Sequence, residues 1–134
     1  MKKGMYKRLV ISCDGGAASG KTTGAKLIAK KYKLKFLSSG MLYRYASYLI
    51  LRTKPKNQIS LIKKEFKKIN LKKINKLNLG TEVISNHTSK IAKVKKIRDI
   101  LKTYQVLFSK KNKKCIIEGR DISNVILPFS DVKF

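Results

Sequence analysis

The sequence predicts an α/β fold, an open parallel β-sheet with helices packed on it. Three observations carry that prediction. Strand-like and helix-like segments alternate from the start of the chain, the opening of a βαβ unit. The strand-like segments are short continuous apolar runs, as in strands buried on both faces. Glycine-containing turns close the first and third of them, at Asp14-Gly15-Gly16 and at Glu118-Gly119.

The first strand is Arg8 to Cys13 (RLVISC). Thr22 to Tyr32 follows, with Ala25, Ile28, Ala29 and Tyr32 at i, i+3, i+4 and i+7, a helix with one apolar face. Leu34 to Leu37 (LKFL) reads as a second strand, broken at Ser38-Ser39-Gly40. A helical pattern rich in Tyr, Leu and Ile runs from Met41 to Leu51 until Pro55 ends it. Asn57 to Asn78 is less regular. Leu61, Ile62, Phe66, Ile69, Leu71 and Ile74 lie there among many lysines, which suits surface helices with one buried edge. One longer helix is expected from about Thr81 to Phe108, with Val83, Ile91, Val94, Ile97, Leu101 and Tyr104 as core contacts. Lys113 to Ile117 (KKCII) is a third strand, and Asp131 to Phe134 (DVKF) begins a fourth.

The 134 residues suffice for one compact domain. No apolar run approaches the roughly 20 residues of a membrane span. The basic opening MKKGMYKRLV leads into an apolar segment that stops at Asp14-Gly15, without a signal-peptide core. A cytoplasmic protein without a membrane partner is expected. The formal charge is +26, from 33 Lys+Arg against 7 Asp+Glu. Such a field attracts polyanions, so nucleic acid is one reading. It is not the favoured one: only Arg8, Arg44, Arg52, Arg98 and Arg120 are arginines, and the rest are lysines scattered among Ile, Asn and Leu, which reads as compositional drift. Arg, not Lys, offers the bidentate fork of specific phosphate contacts. Cys13 and Cys115 have no second Cys or His at metal-ligand spacing, and His87 is the one histidine. A multi-His metal site and a His-based triad are therefore excluded.

Gly15-Gly16-Ala17-Ala18-Ser19-Gly20-Lys21-Thr22 matches G-x-x-x-x-G-K-[ST] between a predicted strand and a predicted helix. Glycines let the backbone wrap a phosphate with its N–H groups, and the helix N-terminus adds partial positive charge. Lys21 is placed to reach the β- and γ-phosphates and Thr22 to offer a hydroxyl to Mg²⁺. The motif implies a nucleoside triphosphate but not what is done with it.

Three later constellations narrow the choice. Ser38-Ser39-Gly40-Met41-Leu42-Tyr43-Arg44 sets hydroxyls and an Arg around an aromatic at a helix start. It suits a second phosphorylated ligand or a plain helix cap, and spacing alone leaves both open. Glu118-Gly119-Arg120-Asp121 closes the third strand. There an acid can hold Mg²⁺ through its waters, and the Arg and Asp reach the cleft at the strands' carboxyl ends. A surface turn with one salt bridge is the alternative. Arg98 lies in the expected long helix, where a lone Arg is usually solvated; its rarity in this chain argues against drift.

At these residues the chain resembles the bacterial cytidylate kinases, within the P-loop nucleoside monophosphate kinases. ISCDGGAASGKTT is similar to the family's first strand and P-loop. SSGMLYR resembles its motif of a hydroxyl residue, Gly, two residues, Tyr and Arg, and implies that Ser39, Tyr43 and Arg44 bind CMP. Ser89, Arg98 and Gln105 keep the family's intervals of nine and seven residues on a helix. EGRD puts Arg120 and Asp121 beside the CMP, with Asp121 on the sugar hydroxyls, and VILPFSDVKF resembles the run into the fourth strand.

The resemblance implies transfer of the γ-phosphoryl of ATP to CMP or dCMP by a monomer, with ATP and Mg²⁺ required. ATP would be held by Gly15, Gly16, Ala17, Ala18, Ser19, Gly20, Lys21, Thr22 and Thr23. CMP would be held by Ser39, Tyr43, Arg44, Ser89, Arg98, Arg120 and Asp121. Lys21, Arg44, Arg98 and Arg120 would be catalytic, and Thr22 and Glu118 would support Mg²⁺, partly through water. Such in-line transfer needs positioning and charge neutralisation rather than a nucleophilic side chain. The family's strand order also implies that the Cys13 and Cys115 strands are neighbours, with both thiols buried.

Family members are longer by roughly a third or more, as a complete single-domain core also leads one to expect. The chain is therefore expected to be the N-terminal part of a single P-loop kinase domain over 1–134, with a shortened CMP-binding insert at about 55–97. The last strand and the arginine-bearing lid are expected to be missing, and losing such donors costs ~10²-fold or more in rate each. Ser123-Asn124 stands where the family usually has Gly-Thr. The alternatives are a catalytically impaired nucleotide-binding fragment, another P-loop monophosphate kinase and a lysine-rich polyanion-binding protein.

Overall fold

A computed structural model of the chain describes residues 7–15 and 21–133, the side chain of Lys21 excepted. The fold divides into two compact units, Met1–Ser39 with Gln105–Phe134, and Gly40–Tyr104.

The first unit is built on a four-stranded sheet, β1 (Leu9–Asp14), β2 (Lys35–Ser38), β3 (Lys114–Gly119) and β4 (Val132–Lys133), in the order β2-β3-β1-β4. Every pairing is parallel. β1 and β3 lie in the centre, and successive residues on both are buried, Val10 with Ile11 and Ile116 with Ile117. Both faces of these strands are therefore covered, which is why they read as unbroken apolar runs. Burying each such side chain stabilises the fold by about 1.5–3 kcal/mol. Helix α1 (Lys21–Tyr32) packs on one face, where Ala25 and Ala29 meet Ile11, Cys13, Leu34 and Ile116. Tyr32 was expected on that apolar face but is 57% exposed. It is the last residue of α1, and Lys33 turns the chain away with φ 57°.

The expected neighbourhood of the cysteine strands is borne out, since Val10 stands opposite Cys115 and Cys13 opposite Glu118. Both thiols are buried, and neither is in a disulfide. Burial pushes the Cys115 thiol up to about 11, with Arg8 pulling it down and Asp131 adding to the rise. That thiol is protonated at neutral pH and chemically quiet.

The short strand β4 is held by side chains as much as by its ladder. The Asp131 carboxylate accepts from the Val10 backbone N–H (2.8 Å), while the Asp131 N–H donates to the Val10 carbonyl (2.8 Å). Arg8 pairs with the same carboxylate at 3.4 Å. Ser12 Oγ lies 2.8 Å from both Ser123 Oγ and Ser130 Oγ, giving a hydroxyl chain beneath the last loop.

The second unit is helical. It holds α2 (Ser39–Thr53) from Gly40 onward, α3 (Gln58–Glu65), α4 (Leu71–Ile74), α5 (Glu82–Ile91) and the first part of α6 (Lys95–Lys111). Three helices start on side-chain caps, with Asn57, Asn70 and Thr81 accepting from the N–H groups of Ser60, Lys73 and Ile84. Each such cap stabilises its helix by about 1 kcal/mol. Ile74, Leu79 and Ile84 form a core against Met41, Tyr45, Tyr48, Leu51 and Leu71. Phe66 sits between Tyr45 and Tyr104, with ring centroids 6.1 and 5.8 Å away. The irregular lysine-rich stretch thus proves to be two short surface helices, with Ile62, Phe66 and Ile74 as the buried edge.

The single long helix expected from Thr81 to Phe108 is in fact two. α5 ends at Ile91 and α6 begins at Lys95. Arg98 makes the break tolerable, because its Nη1 donates to the carbonyls of Ala92 (3.2 Å) and Lys93 (2.9 Å) at the open end of α5. The break moves Val94 out of the core, to 40% exposed. Val83, at the second position of α5, is 67% exposed, while Ile91, Ile97 and Leu101 are buried as expected. No helix among the described residues is long and apolar enough to cross a membrane.

Candidate functional site

The sheet unit gathers one set of candidate residues at the carboxyl ends of β1 and β3. The two strands end level, Asp14 opposite Gly119, and the Gly15 N–H donates to the Gly119 carbonyl at 2.9 Å. The start of the phosphate motif is therefore tied to the end of β3. Gly16, Ala17, Ala18, Ser19, Gly20 and the Lys21 side chain lie outside the described residues. Helix α1 begins at Lys21, and Thr22 and Thr23 are exposed in its first turn.

Glu118, Arg120 and Asp121 leave β3 in three different environments. Glu118 is only 7% exposed, yet it forms no ion pair among the described residues. Arg120 and Asp121 are exposed. Asp121 adopts a left-handed conformation, φ 53° and ψ 32°, and enters a one-turn π-helix over Ile122–Ile126. Such turns recur at functional sites. The turn is pinned by the Asp14 carboxylate, which accepts from the Ser123 N–H at 3.0 Å. Ser39, the first residue of α2, is buried against the end of β3. A Cβ on Gly119 would stand 2.7 Å from Ser39 Cβ, so only glycine permits that approach.

The donors fit a hard divalent cation. A carboxylate and a hydroxyl are the hard oxygen donors that suit Mg²⁺ keeping several waters. Among the described residues there is no cluster of three or more His, Cys, Asp or Glu. Thr22 and Glu118 thus suit a metal that arrives with phosphates rather than a dedicated metal cage.

The helical unit carries the other candidates. Arg44, half-buried on α2, donates through Nη1 to the Leu79 carbonyl (3.2 Å) and to Ser85 Oγ (2.8 Å). Ser89, one turn beyond Ser85, is exposed and donates to the Ser85 carbonyl at 3.4 Å. Tyr43 is half-buried, and burial raises its phenol, an effect that Arg98 opposes and Asp99 reinforces. The unit thus brings Arg44 to α5 and sets Tyr43 within electrostatic reach of Arg98. Gln105 is fully buried and belongs to the sheet unit. His87 is hydrogen-bonded to Ser47, and burial followed by Lys90 lowers its pKa, so it adds no charge at neutral pH.

Three residues of this geometry escaped sequence reasoning. Ser85 was one helical turn before a singled-out serine, and that i, i+4 spacing was the available signal. Asp14 read only as the end of an apolar run, although a carboxylate at a strand end beside a second strand end is placed to brace a loop. Gly119 read as a turn glycine, and nothing in the sequence announces its contact with Ser39.

A family model described as cytidylate kinase matches residues 11–134. The chain is 35% identical to the cytidylate kinase of Fusobacterium nucleatum, over 93% of this chain and 62% of that protein. It is 33% identical to the cytidylate kinase of Clostridioides difficile, over 94% of this chain and 63% of the relative. For the cytidylate kinase of Rickettsia felis the figures are 36% identity, 95% and 58%. The chain therefore spans less than two thirds of the length of these curated relatives. With the phosphate motif, the EGRD strand end and a parallel sheet in place, it belongs to the cytidylate kinase family.

Proposed function

We propose that the chain works as a cytidylate kinase, moving the γ-phosphoryl of ATP to CMP or dCMP and releasing ADP with CDP or dCDP. The observation that carries this reading is the level ending of β1 and β3, with Gly15, the first residue of the phosphate motif, hydrogen-bonded to Gly119 of the EGRD string. The P-loop backbone and Lys21 would hold the triphosphate, Thr22 and Thr23 helping at the start of α1. Mg²⁺, supported by Thr22 and Glu118, would neutralise charge on the phosphates. Arg44, Arg98 and Arg120 would orient the acceptor phosphate, Tyr43, Ser39 and Ser89 would add hydroxyl donors, and Asp121 would accept from the sugar hydroxyls. Positioning and charge neutralisation of this kind suffice for phosphoryl transfer.

The compact helical unit supports reading the segment at about 55–97 as a shortened acceptor-side insert within one kinase domain. The small, charged substrates suit a cytoplasmic monomer. The shared length of 58–63% favours one second reading, a nucleotide-binding piece without turnover.

The test is ADP release with ATP, Mg²⁺ and CMP, beside Lys21→Ala. Removing one such phosphate donor lowers the rate by roughly 10²–10³-fold. Turnover that depends on CMP and falls in the variant supports the kinase. Absence of turnover, with ATP and CMP still raising the melting temperature, leaves binding alone. Faster turnover with UMP or AMP than with CMP overturns the acceptor assignment.

A further inference from the structure

We propose that the exposed lysines of the segment 54–76, which includes α3 and α4, form a docking surface for the sugar-phosphate backbone of a nucleic acid, bound without regard to base sequence. The lysines are not evenly spread. Nine fall in these 23 residues against 19 in the other 111, and Glu65 is the one acid among them. All nine are exposed, and Glu65 is already engaged by Lys68 at 3.8 Å. Among the described residues the other eight form no ion pair.

The packing explains why they share the solvent side. Ile62, Phe66 and Ile74 are buried, and the Asn57 and Asn70 caps fix the start of each helix. The pairs Lys63-Lys64, Lys67-Lys68 and Lys72-Lys73 recur every four or five residues, and all six side chains are exposed. Set against the repeating charge of a phosphodiester chain, so many ammonium groups gain from counterion release.

The same residues exclude other modes of recognition. No Arg lies in the segment to fork onto a guanine edge, and its one aromatic, Phe66, is buried and offers no stacking platform. Contacts therefore go to phosphates, and RNA and DNA of one length bind alike. No large hydrophobic side chain of the segment is exposed, so nothing would enter the apolar layer of a lipid surface.

The test is fluorescence anisotropy with labelled single-stranded RNA and DNA of mixed sequence. It compares the wild type, K63Q/K64Q/K67Q/K68Q, and the isocharge control K30Q/K31Q/K110Q/K111Q. Wild-type affinity should fall by at least ~10²-fold between about 50 and about 200 mM salt. The patch variant should bind ~10-fold more weakly at low salt, with a log–log salt slope shallower by about 2–3, while the control stays within about twofold. Equal weakening in the control would show that net charge alone is at work and overturn the proposal. So would absence of wild-type binding at low salt, or displacement of the RNA by phosphatidylserine vesicles at equal charge. Unchanged melting temperatures show that both variants fold. Lys21→Ala should leave nucleic-acid affinity unchanged, so this surface and the kinase reading stand or fall separately.

Discussion

At the end of β3 the candidate residues sit in arrangements that work against folding, whereas on the helices the candidate arginines hold the fold together. Glu118 is a buried carboxylate without an ion pair among the described residues, and Asp121 is a non-glycine residue at φ 53°. Each raises the free energy of the folded sheet unit. In the helical unit, Arg44 satisfies a carbonyl and a hydroxyl, and Arg98 satisfies two carbonyls at the break between α5 and α6. The difference teaches how substitutions must be read. Losing a sheet-unit residue should separate stability from function, while losing a helical-unit arginine mixes the two.

The largest effect is expected at Arg44. Arg44→Ala strips the partner from the Leu79 carbonyl and from Ser85 Oγ, and hydrogen bonds from a charged donor contribute about 1.5–3 kcal/mol. Partial exposure of the guanidinium places the expected loss near the lower end, about 2 kcal/mol in a urea or thermal melt. Ser85→Ala removes one of the two acceptors and should cost less. A melt unaltered by Arg44→Ala would break the comparison, because the arginine would then add nothing to folding, like the candidate residues at the end of β3.

Glu118→Gln should act in the opposite direction. It keeps the shape and removes the carboxylate, and a gain of up to about 1 kcal/mol is expected because no ion pair among the described residues offsets burying it. CMP-dependent ADP release, if present, should fall in the same variant. A destabilised Glu118→Gln would mean that the carboxylate is a structural anchor.

How much of this was legible beforehand differs between the units for a physical reason. The sheet is written in local runs: LVI within RLVISC and CII within KKCII are unbroken apolar stretches because both faces of β1 and β3 are covered, and the strand order places Cys13 and Cys115 as the resemblance implied. The phosphate motif and EGRD are contiguous strings at strand ends, so the sequence displays them intact. The helical unit depends on what is distant in sequence. Ala92 to Val94 contain no Gly or Pro to announce a break, and the side chain that satisfies it, Arg98, lies beyond it. Arg44 likewise finds Ser85 and Leu79 far along the chain. Gly119 is the exception within the sheet unit, since its role is set by the approach of Ser39 and not by its neighbours.

The smallest effect, and the sharpest test, is at Asp121. A left-handed conformation costs an L-residue roughly 1–2 kcal/mol, less for Asp than for most, and glycine pays none of it. Glycine also carries an entropic penalty of about 0.5–1 kcal/mol from its freer unfolded chain. The two terms nearly cancel, so Asp121→Gly should stabilise by only a few tenths of a kcal/mol, with Asp121→Asn close to wild type and Asp121→Ala below it. The backbone bond from the Val125 N–H to the Asp121 carbonyl is untouched by any of these changes, so the ranking isolates the side chain and its φ. Nucleotide binding sorts the same variants differently: if Asp121 accepts from sugar hydroxyls, Gly, Asn and Ala all lose affinity, whatever their stability. A ranking in which Gly falls below Ala would show that φ 53° is not a strain relieved by glycine, and the opposition between the two units would rest on Glu118 alone.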